Sequence, residues 1–115
     1  MKKEDYIFIE HILESIKDIE SFIKEISKDA FFKNKEKQNA IVRSLEVIGE
    51  AVKNIPNNLK EKYSSIPWRE IAGTRDKIIH HYFGVDLNMV WDIVKINIPD
   101  LKIKILEIKR DLEFV

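Results

Sequence analysis

Residues 4–27 read EDYIFIEHILESIKDIESFIKEIS, and the fold class is legible here first. Ile9, Ile12, Ile16, Ile19, Ile23 and Ile26 recur at spacings of three and four, which is one apolar stripe along a helix. Leu13 and Phe22 widen the stripe, and Lys17, Asp18, Lys24 and Glu25 occupy the opposite face. The same period returns further along the chain. A second helix is predicted from Glu36 to Ile55, with Ile41, Leu45, Ile48, Val52 and Ile55 facing inward. Between the two, Ala30, Phe31 and Phe32 make a short turn or cap that drops aromatics onto the core. Pro56-Asn57-Asn58 stops the second helix, because proline cannot continue the hydrogen-bond ladder.

A short helix over Leu59 to Tyr63 is expected next, then a third helix from Trp68 to about His81, in which Gly73, a weak helix former, is read as a mark of close backbone packing. Pro67 suits a first-turn position, where its missing N–H is not needed. Phe83-Gly84-Val85-Asp86 breaks the chain, and Asp86 can cap the next helix. Leu87, Trp91, Val94, Ile98, Leu101, Ile105, Ile108 and Leu112 then alternate at four and three. Their phase survives Pro99, so a kink or two abutting helices is expected there, without a reversal of direction. No strand alternation, repeat or low-complexity segment is visible. The sequence predicts one all-α domain over residues 1–115, an up-and-down bundle of four main helices with one or two short extra helices.

Bulk properties narrow the function. Lys plus Arg equals Asp plus Glu, 20 against 20, so no global field draws the chain to nucleic acid. Any RNA contact must come from a local patch. There is no cysteine, and the three histidines form no metal signature, so no metal and no cofactor are expected. The start carries no signal-peptide pattern, and no apolar run approaches the ~20 residues of a membrane span. A cytoplasmic location is the simple expectation.

The densest chemistry lies in Arg75-Asp76-Lys77-Ile78-Ile79-His80-His81-Tyr82. On a regular helix Arg75 and Tyr82 differ by only ~20° but stand ~10 Å apart, and His80 points ~140° away from Arg75. Convergence needs the helix to unwind near His80, or a second copy of the chain to supply the missing group. Asp76 precedes His80 by four residues, so a carboxylate on the same face is expected to fix the imidazole and favour its charged form. Arg75 suits a phosphate, His80 suits proton transfer near neutral pH, and Tyr82 offers a hydroxyl or a stacking face. These are parts for metal-independent RNA cleavage, which would spare DNA because DNA lacks the 2′-hydroxyl. The same residues also fit surface decoration at a helix end. On the second helix, Glu46 and Glu50 share a face with Gly49 between them. They are either a solvated face, or a place where Gly49 admits another helix while a glutamate orients Arg75. Arg43, Lys77 and His81 are candidate RNA contacts. Lys33, Lys35 and Lys37 make a small basic cluster, and Trp68 and Trp91 read as core or dimer contacts.

The motif Arg75 to Tyr82 has the form R-x4-H-x-Y and resembles that of HEPN-domain proteins of the HepT-like branch, also called DUF86. Leu45-Glu46-Val47-Ile48-Gly49-Glu50-Ala51, Pro67 to Gly73, Tyr82 to Asp86, Val90-Trp91 and Ile98-Pro99-Asp100-Leu101 resemble the family's flanking blocks in the same order. The resemblance implies a homodimer whose motifs meet between subunits. It implies a ribonuclease toxin of a type VII toxin–antitoxin system, acting on cellular RNA, with tRNA one class. Arg75 and His80 would be the catalytic pair, with Asp76 in the polar position after the arginine. A cognate MNT-type nucleotidyltransferase antitoxin would neutralise it by transferring AMP to Tyr82. The alternative is a non-catalytic nucleotide- or substrate-binding partner subunit of a small nucleotidyltransferase.

Overall fold

The computed structural model describes residues 3–80 and 84–113. α1 (Lys3–Ile23) lies along α3 (Lys35–Lys53), and α8 (Ile98–Glu113) packs on α1. The apolar stripes explain the arrangement: Ile9, Ile12, Ile16 and Ile19 meet Ile41, Leu45, Ile48 and Val52, with Ile98, Leu101, Ile105 and Ile108 closing the third side. α1 ends earlier than its period suggests, because the chain turns at Glu25 through a left-handed backbone (φ 60°). Ile23 and Ile26 therefore only half bury. Lys37 reaches back and donates from Nζ to the Phe22 carbonyl at 3.1 Å, satisfying an end of α1. One member of the basic cluster is thus a helix cap.

α2 (Lys28–Phe32) is capped by Ser27, whose Oγ accepts from the Ala30 N–H. It buries Phe31, whose ring lies 5.4 Å from that of Trp91. α4 (Asn57–Lys62) begins after Pro56. Trp68 is buried, and its indole N–H donates to the carbonyls of Lys60 and Tyr63, so it is a core residue.

The third helix expected from Trp68 to His81 is instead two short helices and a strand. α5 (Trp68–Ala72) stops at Gly73, α6 (Thr74–Ile78) starts after it, and the chain then becomes extended. Glycine is a weak helix former, and the Thr74 hydroxyl donates to the Glu70 carbonyl at 3.2 Å, so the break falls between them. Gly73 marks that break and not a close crossing: a Cβ there would meet only its own helix, no nearer than 3.5 Å. β1 (Ile79–His80) pairs antiparallel with β2 (Gly84–Val85), Ile79 opposite Val85 and His80 opposite Gly84. Gly84 has φ +76°, a conformation that L side chains rarely adopt. The Asp86 N–H closes the ribbon on the Ile78 carbonyl at 2.7 Å.

Asp86 then caps α7 (Leu87–Asp92) as expected, its Oδ1 accepting from the Met89 N–H at 3.0 Å. A five-residue π turn, Ile93–Asn97, joins α7 to α8, with the Ile98 N–H bonded to the Ile93 carbonyl. Pro99 has no N–H for the regular ladder, and the widened turn just before it absorbs the fault while the direction is kept. Ahead of the π turn Val90 is the fully buried residue, and Leu87 and Trp91 half bury. Among the described residues the result is an all-α helical bundle carrying one ribbon of two two-residue strands. No described helix is long and apolar enough to cross a membrane.

Candidate functional site

The site is built where α3 meets α5 and α6. Gly49 is the contact point. A Cβ placed on it would lie 3.4 Å from the Ile71 carbonyl oxygen and 3.6 Å from that of Ala72. The α5 backbone therefore rests directly on α3. Past the Gly73 break, Arg75 projects from α6 towards α3. Its Nε lies 3.9 Å from Oε2 of Glu46, an ion pair at the outer limit of contact. The arginine is open to solvent, with a side chain 66% exposed, while the Glu46 carboxylate is 27% exposed.

Arg43, Glu46, Gly49, Glu50, Arg75 and Asp76 line a cleft of about 170 Å³ here. With Lys53, three cations and three carboxylates line it. Glu50 is paired with Lys53 and not with Arg75: its Oε1 is 3.1 Å from Lys53 Nζ, at the exposed edge of the cleft. The two glutamates that look equivalent in sequence therefore differ, and Glu46 is the one at the arginine.

Asp76 joins the Arg75 cleft and not His80. The expected Asp76–His80 pairing on one helix face requires the helix to continue, and α6 ends at Ile78. His80 stands in the extended ribbon, exposed, and does not line the cleft. The helix thus ends before His80, and the structure leaves His80 apart from the Arg75 cleft. Lys77 turns to the other side of α6, where it lines an apolar groove of about 220 Å³ with Ile71, Thr74, Met89, Ile93 and Leu101. His81 and Tyr82 lie outside the described residues. Trp91 is half-buried beside Phe31, with Lys95 Nζ 5.3 Å from its ring centre.

Chemically, the cleft offers an always-charged guanidinium on a largely exposed side chain, suited to a phosphate oxygen. Among the described residues no three carboxylate or imidazole groups gather as a metal cluster. The sequence signal that could have found the ribbon was Gly84 following the β-branched pair Ile78-Ile79, but a two-residue strand has no alternation to read.

Comparison with known proteins bears on the whole chain. The family described as "Ribonuclease HepT-like" matches residues 12–108. A Methanocaldococcus jannaschii protein described as "Gamma-glutamylcyclotransferase and putative RNase" is 49% identical over 113 residues, 98% of this chain and 51% of that protein. The chain therefore spans about half the length of that relative. The "Probable ribonuclease HepT" of Thermococcus cleftensis is 47% identical over 110 residues, 96% of this chain and 100% of its own. A "Putative RNase" of Caldanaerobacter subterraneus is 46% identical over 101 residues, 88% of this chain and 90% of its own. No solved structure matches.

Proposed function

Because the chain belongs to the HepT-like family of ribonucleases, we propose that it is an endoribonuclease that cuts cellular RNA with Arg75 and His80, without a metal ion. The observation that carries this reading is the open Arg75 cleft beside a helix that stops in time to release His80 from the helical angle. In the proposed reaction the ribose 2′-hydroxyl gives up its proton and attacks the adjacent phosphorus. The 2′-oxygen–phosphorus bond forms, the bond to the 5′-oxygen breaks, and the leaving oxygen takes a proton. Arg75 holds the phosphate as negative charge gathers on it. His80 moves a proton in that sequence. The products are a 2′,3′-cyclic phosphate and a 5′-hydroxyl.

In the same proposal the protein is a homodimer, and a second copy of the chain completes the site. The apolar groove beside α6 supports it, since a half-open surface of this kind next to the motif suits burial against another chain. The proposal includes toxin behaviour on RNA such as tRNA, countered by an MNT-type nucleotidyltransferase. AMP on Tyr82 would add an anionic phosphate that competes with RNA for Arg75.

The deciding experiment incubates purified protein with total RNA in the presence of a chelator, wild type beside H80A. Cleavage leaving 2′,3′-cyclic ends, lost by about 10²-fold or more in H80A, is the expected result. An absence of cleavage by wild type, with nucleotide binding that R75A abolishes, would replace this reading with a non-catalytic nucleotide-binding subunit.

A further inference from the structure

We propose that Glu46 is the positioning residue for Arg75, and that it sets the direction in which the guanidinium faces phosphate. The proposal deepens the ribonuclease reading and, in its kinetic part, rests on it. Two glutamates sit one turn apart on α3, and the structure separates them. Glu50 is 70% exposed and engaged with Lys53 at 3.1 Å. Glu46 is half-buried, and its Oε2 faces Arg75 across the seam where α5 rests on Gly49.

The atom involved matters. The closest approach is through Nε and not through a terminal nitrogen of the fork. A guanidinium is rigid and planar, so drawing Nε towards α3 fixes the plane of the whole group. The terminal nitrogens are then free to bind two oxygens of one phosphate. A carboxylate on the terminal nitrogens would do the opposite and compete with the substrate. At 3.9 Å the pair is loose in the free protein, as such contacts often are before substrate closes them.

Glu46 touches neither phosphate nor the reacting oxygens in this account. It acts through Arg75, and that distinguishes it from a residue needed only for folding. Removing it should lower kcat by about fivefold, the upper end for an exposed pair, with KM within about twofold. A competitor for phosphate would instead give a lower KM when removed.

The test is a double-mutant cycle on RNA cleavage under single-turnover conditions, with E46A and R75A made separately and together. In the R75A background E46A should change the residual rate by less than about twofold, because the residue through which it acts is gone. An equal loss in both backgrounds would overturn the proposal. A second measurement does not depend on activity. The Arg75 Nε–Hε resonance should be displaced in E46Q and stay in place in E50Q, both judged folded by their far-ultraviolet spectra. An unmoved resonance in E46Q overturns the proposal, also where R75A leaves no rate to measure. If wild type cuts no RNA while E46Q displaces the resonance, the ribonuclease reading fails and the Glu46–Arg75 relation stands.

Discussion

Gly49 allows the sign of a mutational effect to be predicted from distances. Alanine there puts one carbon 3.4 Å from the Ile71 oxygen, 3.6 Å from the Ala72 oxygen and 4.0 Å from the Ala72 Cα. Those are contacts, not overlaps. Against them stands the gain in helix propensity of alanine over glycine in α3, about 1 kcal/mol. G49A should therefore stabilise the fold by about 0.5–1 kcal/mol, a rise of roughly 2–6 °C in Tm. Valine adds two carbons beyond that Cβ, each ~1.5 Å further out, and the α5 carbonyls leave no room for both. Overpacking of this kind costs about 1–3 kcal/mol, more than the remaining propensity gain. G49V should thus be destabilised, and because α5 leads into α6 it should also loosen the Glu46–Arg75 pair. Urea unfolding followed by far-ultraviolet circular dichroism, with m unchanged, measures both. If alanine destabilised by more than about 1 kcal/mol, or valine proved as stable as alanine, the claim that α5 rests directly on α3 would be wrong.

Contacts elsewhere in the fold carry their own expectations. Burial, then the 2.6 Å hydrogen bond to Asp111, pushes the Tyr63 phenol up from 10.0 to about 12. A raised phenol means the fold favours the protonated form, so this stability is complete below pH 10 and lost as pH rises through about 12. The effect should be about 1–2 kcal/mol for a half-buried group, below the roughly 2.7 kcal/mol that two full units would give. Phenolate absorbance at high pH in wild type and Y63F checks it, and superimposable late transitions would refute it. D86A loses the bond from the Met89 N–H while the backbone bond from Asp86 to Ile78 survives. It should cost about 1 kcal/mol in urea unfolding, and a loss under about 0.3 kcal/mol would show that the cap contributes little. Ile78 is fully buried at the end of α6. I78A should lose about 2–5 kcal/mol, and a Tm indistinguishable from that of wild type would contradict its burial.

The long elements were legible because each carries its own period. The stripes of α1, α3 and α8 can bury on only one face, and the buried residues of α3 and its exit include the five that the spacing marks, Ile41, Leu45, Ile48, Val52 and Ile55. Asp86 was legible for a local reason, its carboxylate standing three residues before the N–H it receives. Three features were not. The ends of short helices depend on tertiary packing more than on propensity. The ribbon of Ile79–His80 with Gly84–Val85 is too short for a pattern. The difference between Glu46 and Glu50 depends on where another helix crosses, which the spacing of α3 alone does not contain.

The break after Ile78 bears on how the proposed site could be made from R-x4-H. Had α6 continued, every direction from Arg75 to His80 would have been set by the ~100° step of the helix, and the two would diverge by ~140°. Ending α6 removes that constraint and transfers the placement of His80 to a different set of bonds. These are the pairing of Ile79 with Val85, the left-handed Gly84, and the Asp86 N–H on the Ile78 carbonyl. Arg75, by contrast, stands on α6, whose preceding helix α5 rests on Gly49, and its side chain faces Glu46 of α3. The two motif residues are therefore positioned by separate parts of the fold, one by helix packing and one by a turn. Under the proposed two-chain site, this division would leave the histidine free to be placed against substrate or a second copy independently of the arginine.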